Sequence, residues 1–109
     1  MILTSWFARS GRLPNAISIA RTSPKWFSGE RLLSLAPPWA LINKYKNFDL
    51  TTGQFKEEYL AGLSNLNPRL VAPFCQGKVL CCWEEPPEYC HRYALVEWFV
   101  ERGFEAKEL

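Results

Sequence analysis

Residues 78–92 read Lys78-Val79-Leu80-Cys81-Cys82-Trp83-Glu84-Glu85-Pro86-Pro87-Glu88-Tyr89-Cys90-His91-Arg92. The first six form a nearly continuous apolar run, the pattern of a strand buried on both faces rather than one with a wet side. A helix is expected to start near Pro86, Pro87 and Glu88 and to stop at Gly103. Its inward face would carry His91, Ala94, Leu95, Trp98 and Phe99 in a helical three–four rhythm. A buried strand that leads through a loop into a long helix is the repeating unit of a parallel α/β sheet.

The flanking segments fit that frame. Residues 2–6 and 16–20 read as strands, separated by the loop chemistry of Ser10-Gly11-Arg12-Leu13-Pro14-Asn15. Residues 21–29 form a polar loop with two aromatics, Trp26 and Phe27. Pro37 and Pro38 suit the first turn of a helix that runs to about Lys46, where N–H groups lack partners anyway. Thr51 and Gln54 have the spacing of a capping box, and Phe55, Tyr59, Leu63 and Leu66 share one face of the helix it opens. Asn67-Pro68 starts a short helix for which Gly77 is the stop, and residues 104–109 add a short edge strand. The expected fold is a single α/β domain over residues 1–109. Its sheet is three- to four-stranded and mostly parallel, with helices packed on it.

Composition bounds the rest. The chain has 109 residues, 48% of them hydrophobic and 15% aromatic, which excludes general disorder and allows one core. No stretch approaches the ~20 apolar residues of a membrane span. The opening Met1-Ile2-Leu3-Thr4-Ser5-Trp6-Phe7 lacks a basic leader and is followed by Arg9 and Arg12, so a strand is the better reading than a signal. A cytoplasmic protein without membrane contact is expected. The net charge is +2, but residues 1–47 carry +6 and the remainder −4, an asymmetry that suits an anionic partner. Cys75, Cys81, Cys82 and Cys90 include no CxxC pair, so reduced thiols are expected.

Ligands of parallel α/β sheets bind beyond the carboxyl ends of the strands. Three segments could meet there: Ser5-Trp6-Phe7, residues 21–27 and residues 83–92. The last ends in Cys90, His91 and Arg92. A cysteine in the first turn of a helix is drawn toward thiolate by the helix dipole. His91, the only histidine, suits proton transfer, and Arg92 suits a bidentate grip on an anion. Glu84, Glu85 and Glu88 act against both, and double as ordinary helix-start residues. Cys82, Cys90 and His91 would supply only three metal ligands without the paired spacing of a zinc module, so neither metal nor cofactor is expected. A Cys82–Cys90 redox pair requires their Cβ atoms to be close. Trp6, Trp26, Trp39 and Trp83 are candidates for stacking on a planar ligand.

Several runs, taken in order, carry a resemblance. They are Thr4-Ser5-Trp6-Phe7, Ile17-Ser18-Ile19-Ala20-Arg21, Pro24-Lys25-Trp26-Phe27, Leu35-Ala36-Pro37, Tyr45-Lys46, Leu80-Cys81-Cys82-Trp83-Glu84, and Cys90-His91-Arg92 with Glu97-Trp98. Through them the chain resembles the short, bacterial and phage-type members of the family called domain of unknown function 488, over nearly its whole length. The resemblance implies a compact α/β domain with its site at Cys82, Cys90, His91 and Arg92. It implies no reaction, cofactor or substrate.

The first functional expectation is a site for an anionic, nucleotide-like small molecule. Arg92, Arg21 and Lys25 would hold its charge, Trp6 or Trp26 would cover a planar group, Ser5 and Cys82 would complete the pocket, and Cys90 and His91 would position the ligand or act on it. The alternatives are a thiol-dependent enzyme with Cys90 as nucleophile, and a protein- or nucleic-acid-interaction module in which the cluster is architectural. The basic half permits nucleic-acid contact, but no recognised motif supports it. Oligomeric state leaves no mark on the sequence. One connection is awkward: about nine residues join the first two strands, short for a parallel crossover. An antiparallel arrangement would put Arg21 and Lys25 at the end opposite Cys90.

Overall fold

The computed structural model describes all 109 residues. Its sheet has five strands in the order β3-β2-β4-β1-β5, every pair parallel. The strands are β1 (Ile2–Trp6), β2 (Ala16–Ser18), β3 (Glu30–Arg31), β4 (Val79–Cys82) and β5 (Ala106–Glu108). The helices are α1 (Phe7–Ser10), α2 (Trp39–Lys46), α3 (Thr52–Leu63), α4 (Pro68–Cys75) and α5 (His91–Glu101). Strand β4 is central as its apolar run requires, and all four of its residues are buried. The two-residue β3 is one strand more than the residues had announced.

The link between β1 and β2 is short, yet the two strands are parallel to the same central strand. The two strands are not neighbours: β4 inserts between them and pairs with both, and the short link crosses over it. The four-residue α1, packed on β1 and β4, makes that crossing. All strands therefore run the same way, and the carboxyl ends of β1, β2 and β4 meet at one edge, with Trp6 opposite Cys82 and Ser18 opposite Cys81. Arg21 and Cys90 share that end of the sheet. After β2 the chain turns toward β3, and after β4 it turns the other way toward β5. Diverging connections leave a crevice between adjacent strands, the general ligand position in open α/β sheets.

The helices form around recognisable signals. The Thr51 hydroxyl accepts the Gln54 N–H at 3.1 Å, and Gln54 Oε1 accepts the Thr51 N–H at 2.8 Å, a complete capping box on α3. The Asn67 side chain caps α4 through the Arg69 N–H, with Pro68 in the first turn. Two starts differ from expectation. Helix α2 begins at Trp39, one residue past the two prolines, with Pro38 as its extended N-cap. Helix α5 begins at His91 rather than near Pro86, because residues 85–88 form a turn of their own, closed by the Glu88 N–H on the Glu85 carbonyl. Cys90 is thus the N-cap of α5, not part of its first turn.

Helix α3 packs on both α2 and α5, and α5 lies along β1, β4 and β5. The core joins Ile2, Ile19, Leu80, Leu95, Trp98 and Phe99, all essentially without solvent contact. The α3 cap gives a local test. Thr51→Ala removes the hydroxyl half of the capping box, and an expected loss of about 1 kcal/mol appears as a lower urea midpoint at unchanged slope.

Candidate functional site

The crevice between β2 and β4 opens into a cavity of ≈ 810 Å³. Its lining comes from three places. The exit of β2 supplies Ala20, Arg21 and Thr22, and the segment after β4 supplies Cys82, Trp83, Glu84, Glu88, Tyr89, Cys90 and His91. Helix α2, the turn after it and the start of α3 add Trp39, Ile42, Tyr45, Lys46, Phe48, Leu50, Thr51, Thr52 and Phe55, and Pro37 completes the lining. Aromatic walls and a few convergent polar groups make up this lining.

Cys82, Cys90 and His91 form the buried floor. Cys82 and Cys90 are joined as a disulfide, which corrects the expectation of four free thiols. The cause is topological: the end of β4 and the cap of α5, eight residues apart, return to the same point. Cys75 and Cys81 remain free and buried, and burial pushes each thiol up to about 11. His91 Nε2–H donates to the Ile19 carbonyl at 2.8 Å, which leaves Nδ1 as the acceptor nitrogen, 3.6 Å from the Cys90 sulfur. Burial lowers the His91 pKa to about 4. The Ile19 bond works against that shift and the Arg92 charge with it, so the ring is neutral near pH 7. Tyr59 packs its ring edge on His91 at 5.1 Å and donates its hydroxyl to the Leu35 carbonyl at 2.6 Å.

Arg92 stands behind this floor rather than in the cavity. It is fully buried. Its Nε donates to both Glu108 oxygens at 3.1 and 3.0 Å, Nη2 donates to the Tyr93 hydroxyl at 2.8 Å, and Nη1 donates to the Cys82 sulfur at 3.1 Å and to the Glu84 carbonyl. Each terminal of the guanidinium is committed to the protein. Arg92 therefore ties the end of β4, the loop after it and β5 to α5.

Arg21 does line the cavity. Its Nε and Nη2 hold the carbonyls of Pro37, Leu33 and Ala36, and Nη1 takes no protein partner. Lys46 is the second cation of the lining, against Glu84 and Glu88. The N-termini of α3 and α5 open on the same space, through Thr51 and Thr52 and through Cys90 and His91, and their dipoles favour negative charge. The Tyr89 hydroxyl is buried without a hydrogen-bond partner, and burial, then Glu97 and Tyr45, pushes its pKa up to about 12.

The structure thus brings Cys82, Cys90, His91 and Arg21 to one cavity, together with Trp39 and Trp83. The other candidates stand apart from it. Ser5 is buried and bonded to the Ser10 hydroxyl at 2.7 Å, and Trp6 lies beneath the guanidinium groups of Arg9 and Arg92. Trp26 lies under the Arg12 guanidinium, 3.8 Å from its ring centre, and Lys25 is exposed. Sequence reasoning passed over Tyr45, Lys46, Phe55 and Tyr89. The first three sit near helix ends, where a face turned to a neighbouring strand loop is not marked by periodicity.

A family model described as the active DUF488-N3 subclade matches residues 8–103, a span that contains the whole cavity lining. No curated protein and no solved structure matches the chain.

Proposed function

We propose, from the premise that this chain belongs to the DUF488-N3a family, that it binds a planar, anionic, nucleotide-like small molecule in the crevice between β2 and β4. The Cys82–Cys90–His91 floor is the reacting end of that site. The observation that carries the reading is the convergence of one cavity, half-exposed Trp39 and Trp83, the free face of Arg21, and this Cys/His floor at the carboxyl edge of a parallel sheet. Aromatic faces suit a base, and the two helix N-termini with Arg21 and Lys46 suit a phosphate. Glu84 and Glu88 suit the hydroxyl and amino donors of the same ligand. A volume of ≈ 810 Å³ is the size of a pocket for a free nucleotide. The subclade's description as active supports turnover of the ligand.

Calorimetric titration with the nucleoside 5′-monophosphates and their nucleosides tests this. At least one monophosphate is expected to bind with a 1:1 stoichiometry and to lose affinity as its phosphate is removed. Arg21→Gln should narrow that difference between nucleotide and nucleoside by about tenfold, as for one charge-assisted contact. Equal affinity for nucleotide and nucleoside, or no heat with any of them, contradicts the proposal.

A further inference from the structure

We infer that the floor of the cavity, in its reduced form, is a three-ligand site for a zinc-class divalent ion, made by Cys82 Sγ, Cys90 Sγ and His91 Nδ1. These three donor atoms lie within 4.8 Å of one another. The cysteines' Cα atoms are 7.6 Å apart, wider than the roughly 4.4–6.8 Å over which disulfides usually close. Two thiolates on one tetrahedral ion stand about 3.8 Å apart with metal–sulfur bonds of about 2.3 Å, and need that wider backbone.

The surroundings are those of a ligand set. His91 gives its Nε2–H to the Ile19 carbonyl, which fixes the tautomer and aims the Nδ1 lone pair at the cysteines. The Arg92 guanidinium donates to the Cys82 sulfur at 3.1 Å, a contact that stabilises a thiolate. Arg92 is itself balanced by Glu108, so two thiolates and a divalent ion leave the buried centre neutral. Two soft sulfurs and one imidazole select zinc over magnesium or calcium.

All three ligands come from one side, and the fourth position opens on the cavity. Three protein ligands with an open fourth position is the arrangement of catalytic rather than structural zinc. The ion would then meet an oxygen of the molecule bound there. Only this last step rests on the nucleotide reading; the metal site stands on the three donors alone.

The chemistry balances. A phosphine or dithiol reductant supplies two electrons to the Cys82–Cys90 bond, which takes up two protons, and the reductant is oxidised. The incoming ion then displaces both thiol protons.

The test is titration of phosphine-reduced, metal-free protein with cobalt(II). One equivalent is expected to bind, with visible ligand-field bands, a near-ultraviolet thiolate charge-transfer band, and displacement by zinc. Cys82→Ser and His91→Ala should weaken binding at least a hundredfold, while Cys75→Ala leaves it unchanged. In the wild-type protein, zinc should protect Cys82 and Cys90 together from alkylation, a readout independent of whether a variant folds. Absence of the charge-transfer band in folded wild-type protein overturns the inference. So does alkylation of Cys90 at a rate indifferent to zinc, the behaviour of a free nucleophilic thiol. Nucleotide binding is measured separately on the oxidised protein. Nucleotide heat without cobalt bands removes the metal and keeps the pocket; cobalt bands without nucleotide heat do the reverse.

Discussion

Arg92→Met is expected to destabilise the domain by about 3–5 kcal/mol, the usual cost of removing one partner of a buried ion pair. The side chain is wholly buried, and the Glu108 carboxylate is its largest partner. Methionine replaces the stem but none of the donors, so the Glu84 carbonyl, the Tyr93 hydroxyl and the Cys82 sulfur lose their contacts as well. Glu108 keeps 27% of its side chain in solvent and can rehydrate, which places the expected loss near the lower end of that range. In a domain of this size 3 kcal/mol lowers the melting temperature by roughly 12–24 °C. Urea denaturation checks the value directly. A change under about 0.5 kcal/mol, the size of an ordinary surface substitution, would show that Arg92 is not the tie between α5, β4 and β5.

Trp83→Ala carries the second large effect, on affinity rather than stability. Trp83 follows the end of β4, is 49% exposed, and lines the cavity. Its orientation is fixed from both sides. The indole N–H donates to the Thr22 carbonyl at 2.9 Å, and the ring meets Phe7 edge-on at 5.2 Å. A preset aromatic wall contributes about 1–3 kcal/mol to the binding of one base. The expected loss in nucleotide affinity is therefore about 5- to 150-fold. Calorimetry on wild-type and variant protein measures it, with circular dichroism to confirm the fold. Unchanged affinity would place the base against another wall.

The sequence carried the frame of the fold plainly. Val79 to Cys82 read as a central strand from its apolar run, and Thr51 with Gln54 as a helix start from the capping-box spacing, and both elements stand where they were expected. It was less clear where local preference competes. The prolines at 37–38 and 86–87 suit a helix start, yet they suit an extended cap and a tight turn equally well, and in both places the helix begins after them. The insertion of β4 between β1 and β2 is a long-range pairing that no local pattern records.

The site divides the same way. Cys82, Cys90 and His91 were legible because a strand–loop–helix junction fixes their place in the sheet. Arg92 was read as facing a ligand because a sequence shows its charge but not its partner. That partner, Glu108, lies on an edge strand 16 residues further along. Arg21 was found for its charge, although two of its nitrogens hold the loop before α2 and only the remaining face meets the cavity. Tyr45 and Phe55, stacked at 4.5 Å, became cavity walls only through the packing of α2 on α3.

The most direct measurement is an amide NMR titration of the 109-residue chain with the tightest-binding nucleoside 5′-monophosphate. The predicted shifts fall on Ala20, Arg21 and Thr22, on Cys82, Trp83 and Glu84, and on Tyr89, Cys90 and His91. The Trp83 indole N–H, held on the Thr22 carbonyl, should move with them. Shifts confined to the Arg9, Arg12 and Trp26 surface, with the crevice signals unmoved at saturation, would contradict the account.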